Sequence, residues 1–134
     1  MDDFLIAVKK KGIFESLLHI TNMFIAYILT KIRIIFLRWR GYDIGLSTGL
    51  SRDYEFFQTN KHSIKIGENC QIFGGVTVRA GFNGVIELKN NVCINPLTII
   101  DIQGRLEIGE NTLIAPKCYI CDYDHKFDDI NRLI

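Results

Sequence analysis

Large aliphatic residues recur at every sixth position along three segments in the second half of the chain. Small and polar residues fill the positions between them. Self-similarity at a fixed period is the signature of a repeat architecture, in which each repeat forms one layer of a stack. The nine aliphatic residues of the series are Ile66, Ile72, Val78, Leu88, Ile94, Ile100, Ile108, Ile114 and Ile120.

The six-residue period predicts short strands rather than helices. A helix returns to the same face after three or four residues, so a lone residue at every sixth place would rotate off that face. A period of six fits a short strand plus a bend, three of which form the sides of a triangular coil. The fourth residue after each aliphatic residue should then face inward at a tight corner and be small. These corner residues are Cys70, Val76, Val92, Thr98, Thr112 and Cys118.

A β-meander with Gly-Glu-Asn turns is the alternative, but it predicts strict two-residue alternation without the six-residue period. We therefore predict that residues 64–122 form three stacked coils with the nine aliphatic residues on the axis.

The pattern of apolar and polar positions in residues 13–40 predicts one long helix that is apolar over most of its surface. Its polar residues recur at three- and four-residue steps and form a narrow stripe. Gly12 and Gly41 bracket the segment, and basic residues near its end suit the negative end of the helix dipole. The stripe consists of Glu15, His19, Asn22, Thr30, Arg33 and Arg40.

Three interpretations of this helix remain open. A transmembrane span needs about twenty predominantly apolar residues, and the longest stretch without Asp, Glu, Lys or Arg runs only from Ser16 to Thr30. The helix could instead pack on its own β-helix or on neighbouring subunits. It could also lie on anionic lipid, with its basic residues reaching the headgroups. The last two are compatible, and a helix this apolar needs some partner.

Residues 42–63 are predicted to be a connector and cap between a helical segment at 1–41 and a β-helix domain at 64–134. Tyr54, Phe56 and Phe57 are expected to form an edge strand that shields the first core layer of the stack. Interruptions at 79–85 and 103–105 map to corners, where loops often frame binding sites.

Composition excludes some functions. With 16 basic and 15 acidic residues, the near-neutral charge gives no electrostatic case for nucleic acid. Four cysteines without a signal peptide suggest a reduced, cytoplasmic compartment. Cys118 and Cys121 form a C-x-x-C that lacks a helix start or a second pair, so we expect no metal site. His62 is expected to be a surface side chain.

The aliphatic-Gly-x-x-small-x pattern of residues 64–128 resembles the hexapeptide-repeat acyltransferases. The stretch from Ile108 to Phe127 is similar to the block that carries the catalytic histidine in the sugar and polysaccharide O-acetyltransferases of that superfamily. The resemblance implies an all-β, left-handed parallel β-helix and a homotrimer. It also implies transfer of acetyl from acetyl-CoA to a sugar hydroxyl in cell-surface polysaccharide synthesis.

His125 is the candidate general base in this resemblance. A sugar hydroxyl is a poor nucleophile until a base takes its proton, and a neutral imidazole does this because its pKa lies near working pH. Asp122 or Asp124 could fix the tautomer of the ring, or both could be solvated acids. The resemblance implies that a backbone carbonyl can orient the histidine instead.

Asn95 and Asp101, one coil earlier, resemble the asparagine and aspartate that contact the sugar in galactoside and maltose acetyltransferases. Both side chains can exchange hydrogen bonds with hydroxyls. Asn95 could equally bond the backbone of a corner.

The donor site is the weakest part of the match. In the family, acetyl-CoA lies between adjacent β-helices of a trimer, beside later coils that would begin near Ile134. A non-catalytic truncated remnant and a β-helix binding or scaffold protein are therefore alternatives. We also expect peripheral contact with the inner face of the membrane through residues 13–40.

Overall fold

The computed structural model describes the backbone of residues 2–124 and the side chains of residues 12–124. Its one helix, α1, runs from Asp2 to Trp39 and is interrupted at Gly12, where φ is 80° and ψ is 157°. Glycine adopts such a positive φ readily because it has no Cβ. The helix predicted over 13–40 is confirmed, but helical structure also continues upstream of Gly12.

The end of α1 follows from its sequence. Gly41 has a φ of 93°, and its N–H donates to Arg38 O at 3.0 Å while Tyr42 N–H donates to Leu37 O at 3.1 Å. This pair of bonds is the Schellman motif, which a glycine in the left-handed region permits.

Between Asp43 and Cys121, twelve short strands wind into four coils, each with three sides. Equivalent sides pair in parallel into three sheets, which we name A (β1-β4-β7-β10), B (β2-β5-β8-β11) and C (β3-β6-β9-β12). The strands are β1 Asp43–Ile44, β2 Gly49–Leu50, β3 Glu55–Gln58, β4 Ile64–Ile66, β5 Gln71–Ile72, β6 Thr77–Ala80, β7 Val85–Leu88, β8 Cys93–Ile94, β9 Ile99–Ile102, β10 Arg105–Ile108, β11 Leu113–Ile114 and β12 Tyr119–Cys121.

The register of the sheets stacks the aliphatic series along the axis. In sheet B, for example, Leu50 pairs with Ile72, Ile72 with Ile94, and Ile94 with Ile114. Eight of the nine predicted axial residues are buried, and Ile120 is half-buried. The parallel β-solenoid is therefore confirmed, whereas its left hand remains a prediction.

The number of coils is a correction. Residues 42–63, predicted to be a connector, form a complete first coil. Its axial residues Ile44, Leu50 and Phe56 continue the six-residue series upstream. An aromatic residue on the axis and Tyr54 at a corner position break the aliphatic-and-small pattern, which is why the sequence hid this coil.

The first coil is covered by apolar side chains of the same cluster. Ile34 and Leu37, at the end of α1, are buried with Tyr42, whose hydroxyl donates to Phe56 O at 2.9 Å. Burial raises the pKa of Tyr42, because desolvation disfavours the phenolate. Phe57, expected in this cap, instead faces solvent.

The chain divides into two compact units, one up to Arg33 and one from Ile34 onward. The segment Gly12–Trp39 contains an 18-residue window with a mean hydropathy of 1.6, and it is long and apolar enough to cross a membrane by length and composition. A signal sequence near the N-terminus or a core helix of a soluble protein passes the same test.

Candidate functional site

The outer face of sheet C carries two rows of side chains, because residues flanking each axial residue point away from the core. Register aligns Arg79 with Asp101 and Asp101 with Cys121 in one row. In the other row Ile99 aligns with Tyr119. The two rows bring a carboxylate, a guanidinium and a phenol from different coils onto one surface.

Asp101, Tyr119 and Tyr123 form the polar cluster of this face. Hydrogen bonding with Tyr119, partial desolvation, and the bond and charge of Asp101 together raise the pKa of Tyr123 to about 12. The Tyr123 phenol is therefore neutral at physiological pH. The cluster combines a carboxylate acceptor with two hydroxyl groups that both donate and accept hydrogen bonds.

The surroundings of the cluster are partly apolar. The rings of Tyr119 and Tyr123 are 61% and 40% exposed, and Ile99 beside them is 37% exposed. Arg79, next to Asp101, forms an ion pair with Glu55, in which Arg79 Nη2 lies 3.2 Å from Glu55 Oε1. Amphipathic rings beside a carboxylate suit a ligand that has both apolar faces and hydroxyl groups.

Two of the predicted site residues, Asn95 and Asp122, form hydrogen bonds with the backbone. Asn95 donates its side-chain N–H to Ile114 O in the next coil at 2.8 Å, the corner role that was its alternative interpretation. Asp122 accepts backbone N–H bonds from Gln103 at 2.8 Å and Gly104 at 2.7 Å. These bonds tie the turn between β9 and β10 to the end of β12.

The predicted general base is not among the described residues. His125 lies outside the described residues, so its partners stay predictions. Asp124, the last described residue, is exposed. Tyr119 and Tyr123 both lie within the stretch Ile108–Phe127 that resembles the catalytic block.

The two tyrosines were missed by sequence analysis. Tyr119 precedes the axial residue Ile120, so strand alternation turns it outward, and pairing β12 with β9 would have aligned it with Ile99. The signal was available only once the coils were placed in register.

A second feature lies on a different side of the solenoid. An open groove of about 380 Å³ runs along sheet A and is lined by residues such as Arg38, Lys65 and Glu87. Glu87 accepts from Lys89 at 2.7 Å and lies 3.6 Å from Arg105, so opposite charges neutralise one another there. Among Glu87, Lys89 and Arg105 the groove therefore offers no unpaired charge of either sign, and the polar cluster on sheet C carries the better-defined chemistry.

Metal chemistry finds no support in residues 12–124. No group of three or more His, Cys, Asp or Glu side chains in that range could hold a metal ion.

Comparison with known proteins gives two acetyltransferases. The chain is 36% identical over 67 residues to "Probable acetyltransferase Rv3034c" of Mycobacterium tuberculosis, a match that covers 50% of this chain and 22% of that protein. It is 38% identical over 66 residues to "Putative lipopolysaccharide biosynthesis O-acetyl transferase WbbJ" of Escherichia coli, covering 49% of this chain and 34% of that protein.

The matched region thus spans about a third or less of either relative. No family model matches the chain, and no solved structure matches it significantly. The six-residue repeat, the parallel solenoid that it forms and the two acetyltransferase relatives together bear out the resemblance of this chain to the hexapeptide-repeat acyltransferases.

Proposed function

We propose that the chain is an O-acetyltransferase that moves acetyl from acetyl-CoA to a hydroxyl of a glycan acceptor. The observation that carries the proposal is the Asp101–Tyr119–Tyr123 cluster, because its two tyrosines lie within the segment that resembles the catalytic block. The O-acetyl transferase relative, named for lipopolysaccharide biosynthesis, supports a sugar acceptor. The homotrimer and the cytoplasmic location remain predictions.

The reaction requires one proton to be moved. The acceptor hydroxyl oxygen attacks the thioester carbonyl, the carbon–sulfur bond breaks, and the hydroxyl proton passes through a base to the leaving thiolate. His125 is the proposed base, because a neutral imidazole takes a proton near neutral pH. A positioned general base contributes roughly 10²–10⁴-fold to the rate.

The cluster is proposed to hold the acceptor. The Asp101 carboxylate accepts from sugar hydroxyls, and the neutral Tyr123 phenol donates to them or accepts from them. The exposed ring of Tyr119 offers an apolar surface to the C–H face of a sugar. Asn95 and Asp122 bind backbone groups that fix the corners, and with Asp124 they remain candidate contacts of the acceptor.

The test is acetyl transfer from acetyl-CoA to a panel of oligosaccharides, followed by mass spectrometry. His125→Ala should lower the rate by about 10²–10⁴-fold, and His125→Asn should lower it similarly because an amide does not accept the proton. Asp101→Asn should lower kcat/KM for the acceptor by roughly 10- to 100-fold, the worth of a hydrogen bond to a charged group. Glu107→Gln, which removes a carboxylate from the outer face of sheet A, is the matched control and should be unaffected.

The outcomes separate the alternatives. Full activity of His125→Ala would remove the histidine from the mechanism. An acceptor KM unchanged by Asp101→Asn would remove the cluster from the acceptor site. Oligosaccharide binding without transfer, abolished by Asp101→Asn, would support the binding-protein alternative.

A further inference from the structure

Helix α1 carries a wide apolar surface between Gly12 and Trp39. At about 100° per residue, its large apolar side chains cover roughly two-thirds of the circumference. The opposite stripe carries the polar residues Glu15, His19 and Asn22, whereas the long side chains of Lys31 and Arg38 project from within the apolar arc. Most of the large apolar side chains are more than 40% exposed: Ile13, Phe14, Leu17, Leu18, Ile20, Met23, Phe24, Ile25, Tyr27, Ile28, Leu29, Ile32, Ile35, Phe36 and Trp39.

This segment carries an excess of positive charge. Between Gly12 and Arg40 the chain has one acidic residue, Glu15, and four basic residues: Lys31, Arg33, Arg38 and Arg40. Lys31 Nζ lies 4.7 Å from the ring centroid of Tyr27, and the Arg40 guanidinium lies 5.9 Å from that of Phe36. Cations on stems that run along apolar surface can extend into a headgroup layer while the stems stay in apolar surroundings.

From the apolar surface and its charge we propose that α1 binds the plane of an anionic lipid bilayer, with its apolar surface among the acyl chains and its polar stripe in water. Apolar area and cation–headgroup attraction together set the strength of such binding. This inference is independent of the acetyltransferase proposal.

The helix is better suited to lie in the bilayer surface than to cross it. The uncharged run Ser16–Thr30 has 15 residues and is about 22 Å long, whereas the hydrocarbon core is about 30 Å thick. A crossing helix would place His19, Asn22 and a charged neighbour of the run in hydrocarbon, which is costly. Lying in the plane keeps the stripe in water.

A second copy of the chain is a poorer partner for the whole surface. The seam of a two-helix coiled coil uses about two residues in seven. An apolar surface that covers roughly two-thirds of the helix would therefore stay mostly exposed in a helix pair. A bilayer contacts the whole arc at once.

Binding is tested with the full chain synthesised in the presence of vesicles and floated on a density gradient. The protein should float with phosphatidylglycerol-containing vesicles and several-fold less with phosphatidylcholine alone, since each basic residue near an anionic surface contributes about fivefold. Phe24→Glu should reduce the partition coefficient by about tenfold or more, because a charged carboxylate replaces an aromatic ring that would be buried among the acyl chains. Asn22→Glu, which adds the same charge on the polar stripe two residues away, should change it several-fold less.

Equal flotation of the two variants would overturn the proposal. So would a defined oligomer in the absence of lipid that Phe24→Glu dissociates, because the occupant would then be a second copy.

Orientation is tested with tryptophan fluorescence, since Trp39 is the single tryptophan of the chain. In Phe24→Trp with Trp39→Phe, lipids brominated near the headgroup should quench the emission more strongly than lipids brominated near the chain ends. The wild-type Trp39 should give the same order of quenching. Stronger quenching of the Trp placed at position 24 by deep bromines would show a crossing helix and refute in-plane binding.

Discussion

Asparagines at one corner of the solenoid have a backbone conformation that most residues avoid. Asn69, Asn91 and Asn111 have φ values of 56°, 60° and 59°, and the side-chain N–H of Asn91 donates to Asn111 Oδ1 at 3.1 Å. Asparagine tolerates the left-handed region better than other residues with a Cβ. The Asn in each of the second, third and fourth coils therefore has a steric reason.

Replacing Asn91 tests this account. Asn91→Ala should lower the free energy of unfolding by about 1–2 kcal/mol, because alanine pays the cost of the left-handed conformation. Asn91→Gly loses the same side-chain bond but adopts the conformation without strain, so it should cost less. Urea unfolding of both variants measures the difference; equal losses would attribute the role of Asn91 to its hydrogen bond alone.

Tyr123 offers a spectroscopic test of the polar cluster. Its pKa is raised to about 12, against about 10 for an unperturbed tyrosine. The difference in phenolate absorbance between wild type and Tyr123→Phe should therefore develop near pH 12. Because the unfolded chain ionises this group near pH 10, its contribution to stability is complete below pH 10 and is lost as the pH rises toward 12. A difference titration centred near pH 10 would mean that Tyr123 does not bond Tyr119 and Asp101.

At the level of elements, the two glycines that bracket the predicted helix both interrupt its helical geometry. Gly41 ends the helix through the Schellman bonds, so a glycine after an apolar-periodic run was a reliable signal. Gly12 marks the other boundary of the predicted helix. Its φ of 80° and ψ of 157° interrupt the helical path, and a separate helical stretch lies upstream of it.

The four coils differ in how well the sequence predicted them. Coils two to four were predictable because every side carries an aliphatic residue and two sides of each coil also carry a small corner residue. The first coil was not, because Phe56 and Tyr54 stand at those positions, although Ile44 and Leu50 keep the six-residue spacing. Aromatic residues fit there since Tyr42, Tyr54 and Phe56 stack at the covered end, with Tyr54 and Phe56 centroids 4.8 Å apart.

The candidate site was the least predictable element. Asp101 was found through a family resemblance, whereas Tyr119 and Tyr123 were not found at all. Outward side chains are not constrained by packing of the axis, so no period marks them. Which of these side chains meet depends on which residues of successive coils lie in register. The lengths of the loops between the coils decide that register, and the loops at 81–84 and 103–104 differ in length.

In the whole molecule, each coil contacts only its neighbours, so stability depends on position in the stack. The axial residues of the second and third coils are 0–4% exposed, whereas Ile108 and Ile114 of the fourth coil are 7% and 8% exposed and Ile120 is only half-buried. Within the described chain, packing is therefore tightest in the middle coils.

Ile94 and Ile114 form a matched pair for testing this gradient, because they are adjacent in register on sheet B and share the same side chain. Ile94→Ala should lower the free energy of unfolding by about 2–5 kcal/mol, since it leaves a cavity that both neighbouring coils enclose. Ile114→Ala should cost less, because the wall of its cavity is more open and relaxes more easily. Ile94→Asp should prevent folding altogether, as it buries an unpaired charge. Urea unfolding in the presence of vesicles gives the first two values, and loss of the far-ultraviolet β signal reports the third. Equal costs at the two positions would mean that Ile114 is enclosed as completely as Ile94, and that the stack does not loosen at its fourth coil.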